Sequence, residues 1–131
     1  MRYLLDTHTA LWLFEGNEKL PQSVRDIICD LENEIYVSIV SAWEVAIKVS
    51  LNKLDFDGGV DMFLSAIKDN NIDLLDVVKD DYVKNVEKLT YIHKDPFDRL
   101  LISTALAEDL TIITIDENIQ KYDVTCIWQV I

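Results

Sequence analysis

Positive charge is scarce in this chain: 12 lysines and arginines stand against 24 aspartates and glutamates, a formal net charge of −12 over 131 residues. A protein that grips nucleic acid through its phosphates normally presents a basic footprint, so this balance argues against tight nonspecific binding of DNA or RNA. It argues equally for a site that gathers divalent cations, with part of the excess acid serving as ligands. Composition leaves both readings open. Long apolar runs are also missing. None approaches the roughly 20 residues that span a bilayer, so no membrane segment is expected. Met1-Arg2-Tyr3-Leu4-Leu5-Asp6 meets an acid too early for a secretory signal. The two cysteines, Cys29 and Cys126, have neither metal-ligand spacing nor framework partners. They are expected as buried thiols in a reducing cytoplasm.

Glycine and proline are few, three and two, and Gly58-Gly59 is the one glycine pair. Nothing marks a linker, a repeat or a low-complexity tract, so residues 1–131 read as a single domain. What the chain does have is apolar content. Half its residues are hydrophobic, enough at this length for a core without disulfide staples. Strands are expected over residues 3–5, 35–40, 72–78, 111–115 and 125–128. Helical spacing covers Thr7–Glu15, then residues 21–32 with Val24, Ile27, Ile28 and Leu31 as a buried stripe, then 41–53, 60–69, 80–89 and Pro96–Glu108. Strands separated by helices of this length imply right-handed crossovers and a mainly parallel sheet covered on both faces. The class is α/β.

In a parallel sheet the carboxyl ends of the strands share one edge, and ligands bind in the crevice outside it. Asp6 follows the first strand directly and Asp116 follows the fourth. Glu44 falls in the first turn of the helix after the second strand, and Asp98 in the first turn of the helix feeding the fourth. Each acid also has a local explanation. Ser41-x-x-Glu44 has the form of a capping box. Asp95-Pro96-Phe97-Asp98 reads as an N-cap, a proline at the first helical position and an acid favoured by the helix dipole. Asp6 and Asp116 can cap the helices behind them. Four carboxylates meeting at one sheet edge would nevertheless suit hard divalent cations, two of which, roughly 4 Å apart, can serve phosphodiester hydrolysis.

Four stretches carry a family resemblance: Tyr3-Leu4-Leu5-Asp6-Thr7-His8, Ser41-Ala42-Trp43-Glu44-Val45-Ala46-Ile47-Lys48, His93-Lys94-Asp95-Pro96-Phe97-Asp98-Arg99-Leu100-Leu101, and Ile113-Thr114-Ile115-Asp116. In order and spacing the chain resembles a PIN domain, more narrowly the VapC-type toxins of bacterial toxin–antitoxin pairs. The resemblance implies a three-layer α/β/α fold around a parallel five-stranded sheet. It implies Mg²⁺ or Mn²⁺, as one or two ions, held by Asp6, Glu44, Asp98 and Asp116, with endonucleolytic cleavage of RNA. It further implies a cognate antitoxin, a homodimer and a cytoplasmic setting. The alternatives are a stand-alone PIN-type RNA-processing nuclease and a non-catalytic PIN-like interaction module.

Beside the acids, Thr7, Thr114 and Asp95 are candidates to orient carboxylates, against purely local backbone roles. Arg99 and Lys48 are candidate RNA contacts, against ion pairing within an acidic chain. His8 and His93 are expected as hydrogen-bonded structural residues rather than general bases. Trp12, Phe14 and Trp43 exceed what a small core hides and are expected to serve packing or a partner interface. A phosphatase of the haloacid dehalogenase kind requires an acid two residues after its nucleophile, where this chain has His8 after Asp6. A receiver domain requires an acid pair after the first strand and a lysine after the last, and neither is present.

Overall fold

The computed structural model describes residues 1–128. Five strands, β1 (Arg2–Leu5), β2 (Glu34–Ser38), β3 (Asp73–Leu75), β4 (Thr111–Ile113) and β5 (Cys126–Ile127), form one sheet in the order β3-β2-β1-β4-β5. Every pairing is parallel. Among the described residues seven helices connect them: α1 (Thr7–Glu15), α2 (Gln22–Cys29), α3 (Ile39–Ser50), α4 (Gly59–Asp69), α5 (Asp80–Lys88), α6 (Pro96–Glu108) and α7 (Glu117–Gln120).

Strand alternation divides the core into two layers. Tyr3, Leu5, Ile35, Val37 and Ile113 face one side, where Leu11 of α1, Val24 and Ile28 of α2, Val45 of α3 and Phe63 and Ile67 of α4 cover them. Leu4 and Ile112 face the other, beneath Leu101, Ile102 and Ala105 of α6 and Ile119 of α7. This is the three-layer α/β/α arrangement. The chain builds outward from β1 to β2 and β3, then returns to lay β4 on the opposite side of β1. The reversal opens a crevice between the carboxyl ends of β1 and β4, the usual position for a site in such a sheet.

Several local expectations need correction. Residues 39 and 40, read from their β-branched side chains as strand, begin α3, because the Ser38 hydroxyl caps the helix by accepting from the Val40 N–H at 3.0 Å. Strand β3 stops at Leu75 and β4 at Ile113, short of residues 78 and 115. Beyond β4 the Thr114 N–H still reaches Ile127 O, but Asp116 caps α7 and turns the chain away. Helix α2 ends at Cys29, so Leu31 is exposed rather than part of its buried stripe. Both cysteines are free, yet Cys29 is exposed and Cys126 only half-buried. Burial and the charge of Asp6 push the Cys126 thiol up to about 11. Trp12 and Phe14 pack partly buried against the core, whereas Trp43 is 59% exposed. Among the described residues no helix is long and apolar enough to cross a membrane.

Candidate metal centre

Asp6 leaves β1 at the crevice and serves two purposes at once. As N-cap of α1, its Oδ1 accepts from the Thr9 N–H at 2.9 Å. Its Oδ2 accepts from the Thr114 hydroxyl, one residue past β4. Thr114 Oγ1 in turn accepts from the Asp116 N–H at 3.0 Å. One buried hydroxyl therefore ties the two strand-end acids across the switch point. Asp6 is 3% exposed. Burial raises its carboxyl above the ordinary range, while the hydrogen bonds from Thr114 and Thr9 pull the other way.

Glu44 comes from the second turn of α3 and is as deeply buried as Asp6. The capping-box reading of Ser41 and Glu44 fails, since Ser38 caps the helix. Ser41 is instead buried, with its Oγ 2.9 Å from Thr7 Oγ1, and Thr7 donates to Glu44 Oε1 at 2.7 Å. The Lys48 ammonium, one turn on, pairs with Glu44 Oε2. Burial lowers the Lys48 ammonium, but the hydrogen bond to Glu44 and the charges of Glu44, Asp95 and Asp98 outweigh it, so its net shift is upward.

Asp98 enters from the first turn of α6, aimed by Asp95, whose Oδ1 caps the helix by accepting from the Phe97 and Asp98 N–H groups at 2.8 and 3.2 Å. Its carboxyl is pushed up to about 8, first by burial and then by the negative charges of Asp95, Asp6, Glu44 and Asp116. The four acids lie close enough for the field of each to bear on Asp98. His93 Nε2 stands 2.8 Å from Asp98 Oδ2 and 3.5 Å from Asp116 Oδ2. One ligand atom from each of His93, Asp98 and Asp116 falls within 4.8 Å of the others, the spacing at which three side chains can share an ion. Clustered carboxylate oxygens, oriented by hydroxyls and backbone N–H groups that leave lone pairs free, fit a hard divalent cation.

The sequence matches the family model for the PIN domain over residues 3–124. The chain belongs to the PIN domain family. Its fold is similar to that of VapBC2 from Rickettsia felis, solved bound to a DNA fragment from its promoter, at 17% identity and a TM-score of 0.70 over 97% of this chain and 98% of that one. VapBC-1 from nontypeable Haemophilus influenzae gives 15% identity and a TM-score of 0.70 over 97% of both chains. A toxin–antitoxin complex from Klebsiella pneumoniae gives 17% identity and 0.59 over 95% of both. No curated protein sequence matches.

Within this PIN domain the remaining candidates separate. Thr7, Thr114 and Asp95 each touch or aim an acid. Lys48 is engaged with Glu44 and also lines a cleft of about 100 Å³ with Thr7, His8 and Lys53. Arg99, a candidate RNA contact weighed against ion pairing, donates to Thr90 O, Val86 O and Tyr122 Oη, with its guanidinium 5.2 Å from the Tyr91 ring centre. Those contacts tie Arg99 to the segment before α6 and to Tyr122. His8 is exposed and packs edge-on to Trp12. His93, expected as a hydrogen-bonded structural residue, is hydrogen-bonded to Asp98. Its only sequence signal is the tight spacing to Asp98 across a proline-started helix.

Proposed function

We propose that this PIN domain is an endoribonuclease dependent on Mg²⁺ or Mn²⁺, and the toxin of a type II toxin–antitoxin pair. The observation that carries the reading is the meeting of Asp6, Glu44, Asp98 and Asp116, drawn from four distant segments to one edge of the sheet. When bound there, a divalent cation supplies the acidity that makes water a competent nucleophile and offsets charge on the phosphodiester. The chain's own groups do the positioning. Thr114 holds Asp6 against the start of α7, Thr7 and Lys48 hold Glu44, and the Asp95 cap aims Asp98. Lys48 and Lys53, lining the cleft beside Glu44, offer a path for a phosphate backbone in an otherwise acidic molecule.

The likeness to toxin–antitoxin complexes supports a protein antitoxin as partner. A basic side chain from such a partner, approaching four carboxylates, would compete electrostatically with the cation. Exposed Trp43, Val77, Val83 and Tyr91 supply apolar surface for an antitoxin or a second copy in a cytoplasmic homodimer. Light scattering reads the homodimer: a monomer at every concentration removes that part.

Cleavage of RNA by the purified protein tests the activity. Asp6→Asn and Asp98→Asn are expected to lose at least about 100-fold in rate with the fold intact. A chelator is expected to stop turnover, and added Mg²⁺ or Mn²⁺ to restore it. An Asp98→Asn protein that cuts at the wild-type rate removes Asp98 from the mechanism.

A further inference from the structure

Asp98 and Asp116 belong to different elements, one in α6 and one at the N-cap of α7, and the group standing between their carboxylates is His93. The imidazole is largely enclosed, 13% exposed. Its second nitrogen, Nδ1, faces the backbone N–H of Asp95 at 3.4 Å. A backbone N–H can only donate, so this contact suits the tautomer in which Nδ1 keeps its lone pair and Nε2 carries the ring proton. In that form Nε2 is a donor to carboxylates and has no lone pair to offer a cation.

The backbone that carries the ring is pinned as well. The Ile92 and His93 N–H groups both donate to Tyr122 Oη, at 3.1 and 2.9 Å. Tyr122 is buried, and Arg99 reaches the same oxygen at 3.3 Å while clasping Val86 O and Thr90 O. Contacts from α5, from α6 and from the segment after α7 thus converge on the loop carrying one imidazole.

We propose that His93 is a positioning residue of the metal centre: its Nε2–H donates to Asp98 with Asp116 3.5 Å away, and so sets the spacing at which both reach a cation, without ligating it. The inference rests on the function proposed above. It assigns the Arg99–Tyr122 clasp to the same task.

The test is Mn²⁺ binding followed by electron paramagnetic resonance in the wild type, His93→Ala, His93→Gln and Asp98→Asn. His93→Ala is expected to weaken Mn²⁺ binding about 10- to 100-fold, the range for lost supporting groups around a metal. His93→Gln, whose amide N–H can reach the same oxygens, is expected to recover most of it. Electron spin-echo spectra of Mn²⁺ bound to the wild type should show no directly coordinated nitrogen. A coordinated nitrogen, or unchanged affinity in His93→Ala, overturns the assignment. Should His93→Ala fail to fold, the wild-type spectrum and the affinity of His93→Gln decide. A wild type that takes up no Mn²⁺, or an Asp98→Asn that binds as well as wild type, sinks the metal-centre reading and this inference with it. Normal uptake lost in Asp98→Asn but kept in His93→Ala overturns this inference alone.

Discussion

Glu44 keeps a carboxylate 2% exposed to solvent because Thr7 donates to one oxygen and Lys48 pairs with the other. Removing one partner leaves the buried charge short of compensation, which costs more than the pair itself contributes. Lys48→Met is therefore expected to destabilise the metal-free protein by about 1–3 kcal/mol, toward the low end because the lysine is partly exposed. Added Mg²⁺ should recover part of that loss by replacing the missing positive charge. Denaturant unfolding with and without the ion measures both, and unchanged stability in chelator contradicts the role of Lys48. Asp98 makes a second residue-level prediction. Its folded carboxyl, at about 8, lies above the value of an unfolded aspartate. The folded metal-free chain therefore holds a proton that the unfolded chain releases. The resulting stability is full below the unfolded value and is lost as pH rises through about 8. Thermal unfolding in chelator is expected to give a lower Tm at about pH 9 than at about pH 6; a Tm that rises over that interval contradicts the burial and crowding assigned to Asp98.

Among elements, the start of α6 decides where an acid points. Asp95 satisfies two otherwise unpaired N–H groups, Pro96 occupies the first turn, and Asp98 is carried into the crevice as a consequence. Asp95→Ala is expected to cost about 1 kcal/mol of stability, with Asp95→Asn near neutral. Urea unfolding reads this, and equal losses in both variants would mean that charge rather than capping matters there. This segment was legible because its cap, proline and acid all obey local rules. Helix α3 was not. Its cap is Ser38, three residues before the serine whose spacing to Glu44 imitates a capping box, and Ser41 is drawn inward by Thr7 from α1. A contact between residues 34 positions apart cannot be read from spacing along one helix. The same limit hid Arg99, whose partners Val86, Thr90 and Tyr122 lie on segments packed together only in the folded chain.

Over the whole molecule, the strand order explains why these acids meet. Reversal of the sheet between β3 and β4 places Asp6 and Asp116 just past the ends of adjacent strands, and the helices after β2 and before β4 deliver Glu44 and Asp98 to the same edge. The parallel sheet was legible because strands alternated with helices long enough to cross over. The role of the −12 charge was not, since composition cannot distinguish ligands from solvated surface. Burial sets Asp6 and Glu44 apart from solvated surface, while most of the other acids lie on it. Crystals soaked in Mn²⁺, with the anomalous signal of manganese used to find the ion, test this directly. The account predicts a peak among Asp6, Glu44, Asp98 and Asp116, with carboxylate oxygens roughly 2.0–2.2 Å away, close to the distances of hard-cation sites. Manganese ordered only at other surface acids, with the crevice between β1 and β4 empty, would contradict it.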